Sequence, residues 1–442
     1  MVLSRRGFLR RSAAGVLLVG APEVLRLTGG GALGYGDLVD DPEGRLALPQ
    51  GFRYTVVTEA GETELETGEP TPRNHDGTGA FAAKGGGTVL VVNHEIREDA
   101  GTDLQVPHLD GLVYDPGAAG GCTIVVTDAQ GRPVNERVGI AGTSTNCAGG
   151  VTPWGTWLTC EETDSRAGDG ALERDHGYVF EVDPFDRAAL VDPRPVKALG
   201  RYSHEALAVD PGTSDIYLTE DASGPNGLVY RWAPPTGLRA GRGVLRELGD
   251  TDGVLAAMRC TDESGEHVDD LSRAESAGTT YAVEWVEVPD RDAREESTRT
   301  QLDDGRVTRA HKLEGAWWGH GGVYVVSSYS GGGSPGSHRG QVWYYDPRRS
   351  TVTLRLQFGG EDDGSDGPDN ISVSPYGGVI LAEDGSSGNH LVGAAEGGTT
   401  FRIARSEEGS EFTGPVFSGD GKILFANVQV PGTLFAITGP WA

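Results

Sequence analysis

One pattern recurs along this chain and limits what it can fold into: a short apolar run that opens at a glycine and closes at an acidic-proline corner. Gly111-Leu-Val-Tyr-Asp-Pro116, the segment from Gly177 to Pro184 and the segment from Gly340 to Pro347 all follow it, and Gly227-Leu-Val-Tyr-Arg-Trp232 is a variant without the corner. Further strand-like runs lie between them: Thr88 to Val92, Ile216 to Thr219, Val323 to Ser327, Val379 to Ala382 and Ile423 to Ala426. Strands this short, punctuated by glycine and proline, are the signature of four-stranded blades. The expected fold is all-β, a β-propeller, and about six blades fit the length. Sixty-nine glycines, 24 prolines and only two methionines agree with many turns and few helices. A tandem of immunoglobulin-like sandwiches would require shorter, more uniform periods. The charged stretch 237–309 reads as an insertion or a decorated blade.

The first residues carry a different message. Ser4-Arg-Arg-Gly-Phe-Leu9 precedes the small, apolar run from Ala13 to Ala21, which is too short to span a bilayer. This is the form of a twin-arginine export signal, read by the twin-arginine translocase. Residues 1–34 are expected to be the signal peptide and 35–442 a single propeller domain. No later stretch approaches the ~20 apolar residues of a transmembrane helix, so the mature protein is expected to be exported to the periplasm, cell envelope or exterior without a stable membrane span.

Charge narrows the partners. There are 37 Lys and Arg against 65 Asp and Glu, a formal net charge of −28, which argues against nucleic acid because phosphate backbones need basic patches. Multivalent cations are the natural counter-charge, although a large negative charge also keeps an exported protein soluble.

The acids are not scattered at random. Cys160-Glu161-Glu162 follows Gly-Thr-Trp-Leu-Thr, Asn93-His94-Glu95 follows Thr88 to Val92, Glu220-Asp221 follows Ile216 to Thr219, Glu383-Asp384 follows Val379 to Ala382, and Asn427 follows Ile423 to Ala426. If these runs are the innermost strands of a ring, their ends converge on a central channel, where clustered anions repel one another unless cations compensate them. Asn146-Cys147, His204-Glu205 and Pro368-Asp369-Asn370 add further ligand types. A cysteine selects iron or zinc and carboxylates favour calcium, so the combination suggests a mixed-metal centre. The four cysteines, Cys122, Cys147, Cys160 and Cys260, also admit a disulfide in an oxidising compartment, with a Cys147–Cys160 bridge the reading that competes with metal binding.

Taken together, the residues resemble a known family. Asn146-Cys-Ala-Gly-Gly-Val-Thr-Pro-Trp-Gly-Thr-Trp-Leu-Thr-Cys-Glu-Glu162 is similar to the central motif of PhoX-type alkaline phosphatases. Arg201-Tyr-Ser-His-Glu205, Lys312-Leu-Glu-Gly-Ala-Trp-Trp318, Pro368-Asp-Asn370, Glu411-Phe-Thr-Gly414, Val428-Gln429 and Pro431-Gly432 resemble others in the same order, and the similarity runs from about Arg73 to Thr438. The resemblance implies a six-bladed propeller with Fe3+ and Ca2+ at the channel mouth, hydrolysing small phosphate monoesters as a monomer outside the cytoplasm. Carried over by residue, it implies that Cys147 ligates iron and that Glu162, Glu205, Glu314 and Asp369 bind or bridge iron and calcium. Glu95, Glu161, Asn370 and Glu383 are further metal candidates. Lys312 stands where the family tends to have arginine, and would hold a phosphate as a point charge without a bidentate grip. Val430 stands where the family often has histidine. His204 is a catalytic candidate that would ligate, relay protons or hydrogen-bond Glu205.

Other motifs explain less. Gly332-Gly-Ser-Pro-Gly336 matches a serine-hydrolase elbow, but Pro335 lacks the N–H that an oxyanion hole needs after the serine, and the stretch reads as a turn. Trp154, Trp157, Trp317 and Trp318 read as packing between blades rather than as a stacking platform. Two alternatives to a phosphatase remain at this point: a calcium-dependent lactonase or esterase, for which Cys147 has no evident use, and a non-catalytic calcium-stabilised propeller that binds a partner on its face.

Overall fold

The computed structural model describes residues 34–274, 276–329, 340–359, 367–385 and 388–442. The twin-arginine motif and the Gly332–Gly336 stretch lie outside the described residues. Among the described residues the secondary structure is β-strand, with helix confined to five short 3-10 turns. None of those helices is long and apolar enough to cross a membrane.

The strands form antiparallel meanders, as expected for chain segments joined by tight turns. His75–Ala82, Thr88–His94, Gly120–Thr127 and Pro133–Thr143 make the first, and Asn146–Val151, Trp157–Glu161 and Val179–Val182 the second. His204–Val209, Ile216–Glu220, Val229–Ala233 and Val254–Thr261 make the third, and Leu313–Gly319, Gly322–Ser327, Gln341–Asp346 and Thr351–Gln357 the fourth. Pro368–Val373, Val379–Glu383, His390–Ala394 and Thr400–Ser406 follow. The two short strands Leu38–Val39 and Leu46–Pro49 add to the edge of that meander, and the last one, Phe412–Phe417, Ile423–Val428 and Thr433–Thr438, is completed by Arg53–Glu59 from early in the chain. That pairing of the two ends of the chain closes the circle and removes a sheet edge. The first strand of each meander packs against the first strand of the next, and the last against the first, so these innermost strands form a closed ring. The architecture is a β-propeller.

Each meander is apolar on both faces because its neighbours cover it, which is why Trp157, Trp232, Trp343 and Phe435 are fully buried. At the axis the side chains must shrink. A Cβ on Gly77 would lie 2.5 Å from Ala148 Cα, and one on Gly315 2.8 Å from the Asp369 carbonyl, so the innermost strands approach at distances only glycine allows. Trp157 and Trp317 line the small cavity left there, with the indole of Trp157 donating to Asn93 Oδ1 at 3.0 Å.

Two expectations need correction. The runs Thr88 to Val92, Ile216 to Thr219, Val379 to Ala382 and Ile423 to Ala426 lie in second strands; in each meander the innermost strand precedes them. Gly111 to Pro116 is not a strand but a loop, fixed by the Asp115 carboxylate accepting from the backbone N–H groups of Gly117, Glu173 and Arg174. The charged stretch 237–309 supplies the outer strand Val254–Thr261 and the strand Thr280–Glu287, which pairs with it and with Thr351–Gln357 to tie two meanders into one sheet.

Candidate functional site

One local feature repeats in all six innermost strands. Each strand pairs with its neighbour at the rim, His75 with His94, Asn146 with Glu161, His204 with Glu220, Leu313 with Ser327, Pro368 with Glu383 and Phe412 with Val428, and the register then slips within the next few residues. A bulge of this kind frees a residue from the ladder and re-aims its side chain. In five strands the residue just after the rim pair is Asp76, Cys147, Glu205, Glu314 or Asp369. In the sixth, Glu411 stands just before Phe412. The residues that follow the second strands, Glu95, Glu162, Asp221, Ser328, Asp384 and Gln429, leave the sheet at the same rim.

Side chains from one meander clip the bulge of the next. Asn93 Nδ2 donates to the carbonyls of Cys147 at 3.0 Å and Ala148 at 2.8 Å, Thr219 Oγ1 to that of Glu314 at 2.8 Å, and Asn427 Nδ2 to that of Asp76 at 2.7 Å. The bulges are thereby held by hydrogen bonds inside a buried ring, where unmade bonds would be costly.

The result is a chain of three linked groups. Potential ligand atoms of Cys147, Glu162 and Glu205 lie within 4.8 Å of one another, as do those of Glu205, Glu314 and Asp369, and those of Asp369, Asp384 and Glu411. Glu205 and Asp369 belong to two groups each, so they can bridge. Burial and mutual repulsion push these carboxyls far above their usual range: Glu162 up to about 8, Asp369 to about 7 and Glu411 to about 9, with Glu205, Glu314 and Asp76 also raised. Burial raises the Cys147 thiol as well, reinforced by Glu205 and Glu162. Little positive charge answers them. Lys312 Nζ donates to Glu314 Oε1 at 2.5 Å and Asp221 Oδ2 at 3.3 Å, while Arg97 Nη2 lies 3.0 Å from Glu95 and 3.7 Å from Glu162.

The remaining sequence candidates divide. Glu95 lies at the rim, where Gln429 Nε2 donates to it at 2.8 Å and to Asp76 at 3.1 Å. Asn370 is beside the site rather than in a group: its Nδ2 donates to Asp369 Oδ1 at 2.9 Å and its Oδ1 accepts from the Gly414 N–H at 2.6 Å. Glu161 points into the meander, where it pairs with His176 at 2.7 Å and accepts from the N–H groups of Ser144, Gly177 and Tyr178. Glu383 likewise points away, to His390 Nδ1 at 2.9 Å. His204 is buried with its ring against that of Tyr202, centroids 3.7 Å apart, and Nε2 3.2 Å from the Gly200 carbonyl. Burial depresses it to about 3, and its ring faces Tyr202 rather than joining any of the three ligand groups. All four cysteines are free, so Cys147 is not bridged to Cys160.

Asp76, Asp384 and Glu411 belong to the cluster but were not among the candidates chosen from sequence. Asp384 and Glu411 lie inside quoted stretches, Glu383-Asp384 and Glu411-Phe-Thr-Gly414, and Asp76 lies just after the start of the family similarity at about Arg73. For Asp384 the missing signal was which of two adjacent acids faces the axis.

The family model for alkaline phosphatase PhoX matches residues 33–432. The chain belongs to the PhoX alkaline phosphatase family. Among solved structures, Pseudomonas fluorescens PhoX in complex with vanadate, a transition state analogue, aligns with a TM-score of 0.67 at 19% identity, over 91% of this chain and 97% of that one. At that identity the likeness bears on the fold, and it agrees with the PhoX assignment. A putative gluconolactonase aligns with a TM-score of 0.42 at 9% identity over 89% of this chain and 94% of its own. The gluconolactonase of Xanthomonas campestris aligns at 0.36 and 14%, over 84% and 98%. No curated protein matches the chain. This PhoX-family chain is a metal-dependent phosphatase, which sets aside the lactonase and the non-catalytic propeller.

Proposed function

We propose that the protein hydrolyses phosphate monoesters with iron and calcium held by the linked groups at the ring axis. The observation that carries this reading is the sharing of Glu205 and Asp369 between three ligand groups, with Cys147 at one end and only carboxylates at the other. A thiolate with two carboxylates suits iron, and groups made of carboxylates suit calcium. The raised carboxyl groups fit the same assignment, because buried anions that repel one another are stabilised by bound cations.

In this reading Cys147, Glu162 and Glu205 hold iron, and Glu205, Glu314, Asp369, Asp384 and Glu411 hold or bridge calcium. Bound there, the ions supply positive charge for the phosphoryl oxygens and activate the attacking water. The chain's own groups do the rest. Lys312, fixed between Glu314 and Asp221, offers a point charge to a phosphate entering the mouth. Asn370, Gln429 and Ser328 orient Asp369, Asp76 and Glu314 through hydrogen bonds, so that few conformations compete with the ligating one.

The same proposal takes 1–34 as a signal removed after twin-arginine export, 35–442 as a monomeric propeller with each meander counted as one of six blades, and small phosphorylated molecules as substrates outside the cytoplasm. The test is hydrolysis of a phosphate monoester, a diester and a lactone by the exported protein and by Cys147→Ala. Preference for the monoester, lost in Cys147→Ala, supports the proposal; a Cys147→Ala variant as active as the parent refutes it.

A further inference from the structure

Asn93 is the penultimate residue of the strand Thr88–His94, and its side chain is fully buried. Its Oδ1 accepts from the Cys122 thiol at 3.1 Å, the Trp157 indole N–H at 3.0 Å and the Thr159 hydroxyl at 3.0 Å, while its Nδ2 donates to the carbonyls of Cys147 and Ala148. The direction of the Thr159 bond is fixed from behind. Thr143 Oγ1 donates to Asn146 Oδ1 at 2.7 Å and Asn146 Nδ2 to Thr159 Oγ1 at 3.0 Å, which leaves the Thr159 proton for Asn93. Turned over, the amide would set its N–H bonds against three donors and its oxygen against two carbonyls, so one orientation alone satisfies it.

The two carbonyls belong to consecutive residues, and in a regular strand they would point to opposite sides. Here Cys147 and Ala148 stand together against the single Cys160, between the pairs Asn146–Glu161 and Gly149–Thr159, and the bulge turns both carbonyls toward Asn93. Asn93 therefore recognises the bulge and not the strand. Among the described residues its hydrogen bonds reach no side chain of the three ligand groups. What the bulge decides is the aim of Cys147, whose sulfur lies with carboxylate oxygens of Glu162 and Glu205. Without the thiolate that group is two carboxylates, which suit a hard cation such as calcium.

We propose that Asn93 is the positioning residue that makes the first ligand group select a thiolate-binding metal: by donating to two successive carbonyls it holds the bulge that aims Cys147 at Glu162 and Glu205. The inference rests on the proposed function in taking that metal to be iron, and adds to it a residue of another meander that decides which metal the group keeps. The clips from Thr219 and Asn427 hold the carbonyls of Glu314 and Asp76, neither of which belongs to the Cys147 group, so among the three clips the effect on a thiolate metal is confined to Asn93.

The test compares the full-length exported protein with Asn93→Asp, Asn93→Ala and Asn427→Ala. Iron and calcium are counted per chain and the urea midpoint is measured. Cadmium is then titrated into chelator-treated protein resupplied with calcium, its bond to a thiolate being read from charge-transfer absorbance in the ultraviolet. Both Asn93 variants should lose most of their iron, keep their calcium and bind cadmium about 10–100-fold more weakly than the parent. Asn427→Ala removes a clip of the same kind, and should lower the urea midpoint to a similar extent while keeping iron and cadmium binding. Parent-like iron content and cadmium binding in the Asn93 variants overturn the proposal, as does a joint loss of iron and calcium matched by Asn427→Ala, which would make the amide a strut and nothing more. If Asn93→Asp does not fold, Asn93→Ala, which adds no charge, carries the comparison. A parent without iron refutes the proposed function instead, and the cadmium titration still decides whether Asn93 aims Cys147.

Discussion

Glu383 holds His390 at 2.9 Å inside the meander, while Asp384, the next residue, stands with Asp369 and Glu411 at the axis. The same division occurs twice more. Glu161 pairs with His176 and Glu220 accepts from Tyr230 Oη at 2.7 Å, whereas Glu162 joins Cys147 and Asp221 pairs with Lys312. The final residue of each of these second strands is tied to the third strand, or to the segment leading into it, and its successor is delivered to the rim. Adjacent acids thus do different work, one as a buried strut and one at the site.

The strut beside Glu162 can be tested by removing its partner. His176 bridges Glu161 and Asp115, and all three side chains are fully buried. His176→Ala leaves two buried carboxylates without their shared partner, and should cost about 3–5 kcal/mol of stability, read as a lowered urea midpoint. No change in the midpoint would mean that the pair adds nothing.

The same histidine gives a pH signature. Burial pulls its pKa down, but Glu161 and Asp115 outweigh burial and lift it from 6.5 to about 9. A histidine raised by folding stabilises the protein fully below its unfolded pKa and loses that effect as pH rises through the folded one. The stability gap between the parent and His176→Ala should be widest near pH 6 and narrow between pH 7 and 10. A gap that widens with pH would contradict the assignment.

Close approach at the ring makes a third prediction. In Gly77→Ala the new methyl would meet Ala148 Cα at 2.5 Å and the Cys147 carbonyl at 2.8 Å, both backbone atoms of the neighbouring strand. Overpacking of this kind costs about 1–3 kcal/mol. Gly397→Ala, where nothing lies within 4 Å, is the control and should leave the melting temperature within a degree or two of the parent. Equal effects at the two positions would show that the innermost strands can move apart.

Asn370 tests positioning apart from ligation. Its amide holds Asp369 while its oxygen takes the Gly414 N–H, so Asn370→Ala should lower metal affinity or activity about 10–100-fold without unfolding the protein. The check is activity across a calcium titration. A variant indistinguishable from the parent would place Asn370 outside the working site.

The propeller was legible because its strands are short, glycine-entered and regularly spaced, and most of the runs marked in sequence are strands in the fold. The motifs around the site were legible too. What could not be read was orientation at single-residue resolution. Glu161 and Glu383 looked equivalent to Glu162 and Asp384, because alternation along a strand decides the question only when its end and its bulges are known. His204 precedes Glu205 by one residue and for that reason faces the opposite way, into Tyr202. Gly111 to Pro116 has the composition of a strand, yet the Asp115 carboxylate offers its backbone neighbours a turn instead.

The central claim is that remote segments gather one mixed set of ligands, and elemental analysis of the purified, exported protein meets it most directly. Iron and calcium should both remain bound after dialysis, with iron lost in Cys147→Ala and both ions depleted in Glu205→Gln. Retention of calcium alone, or an iron content indifferent to Cys147, would contradict it.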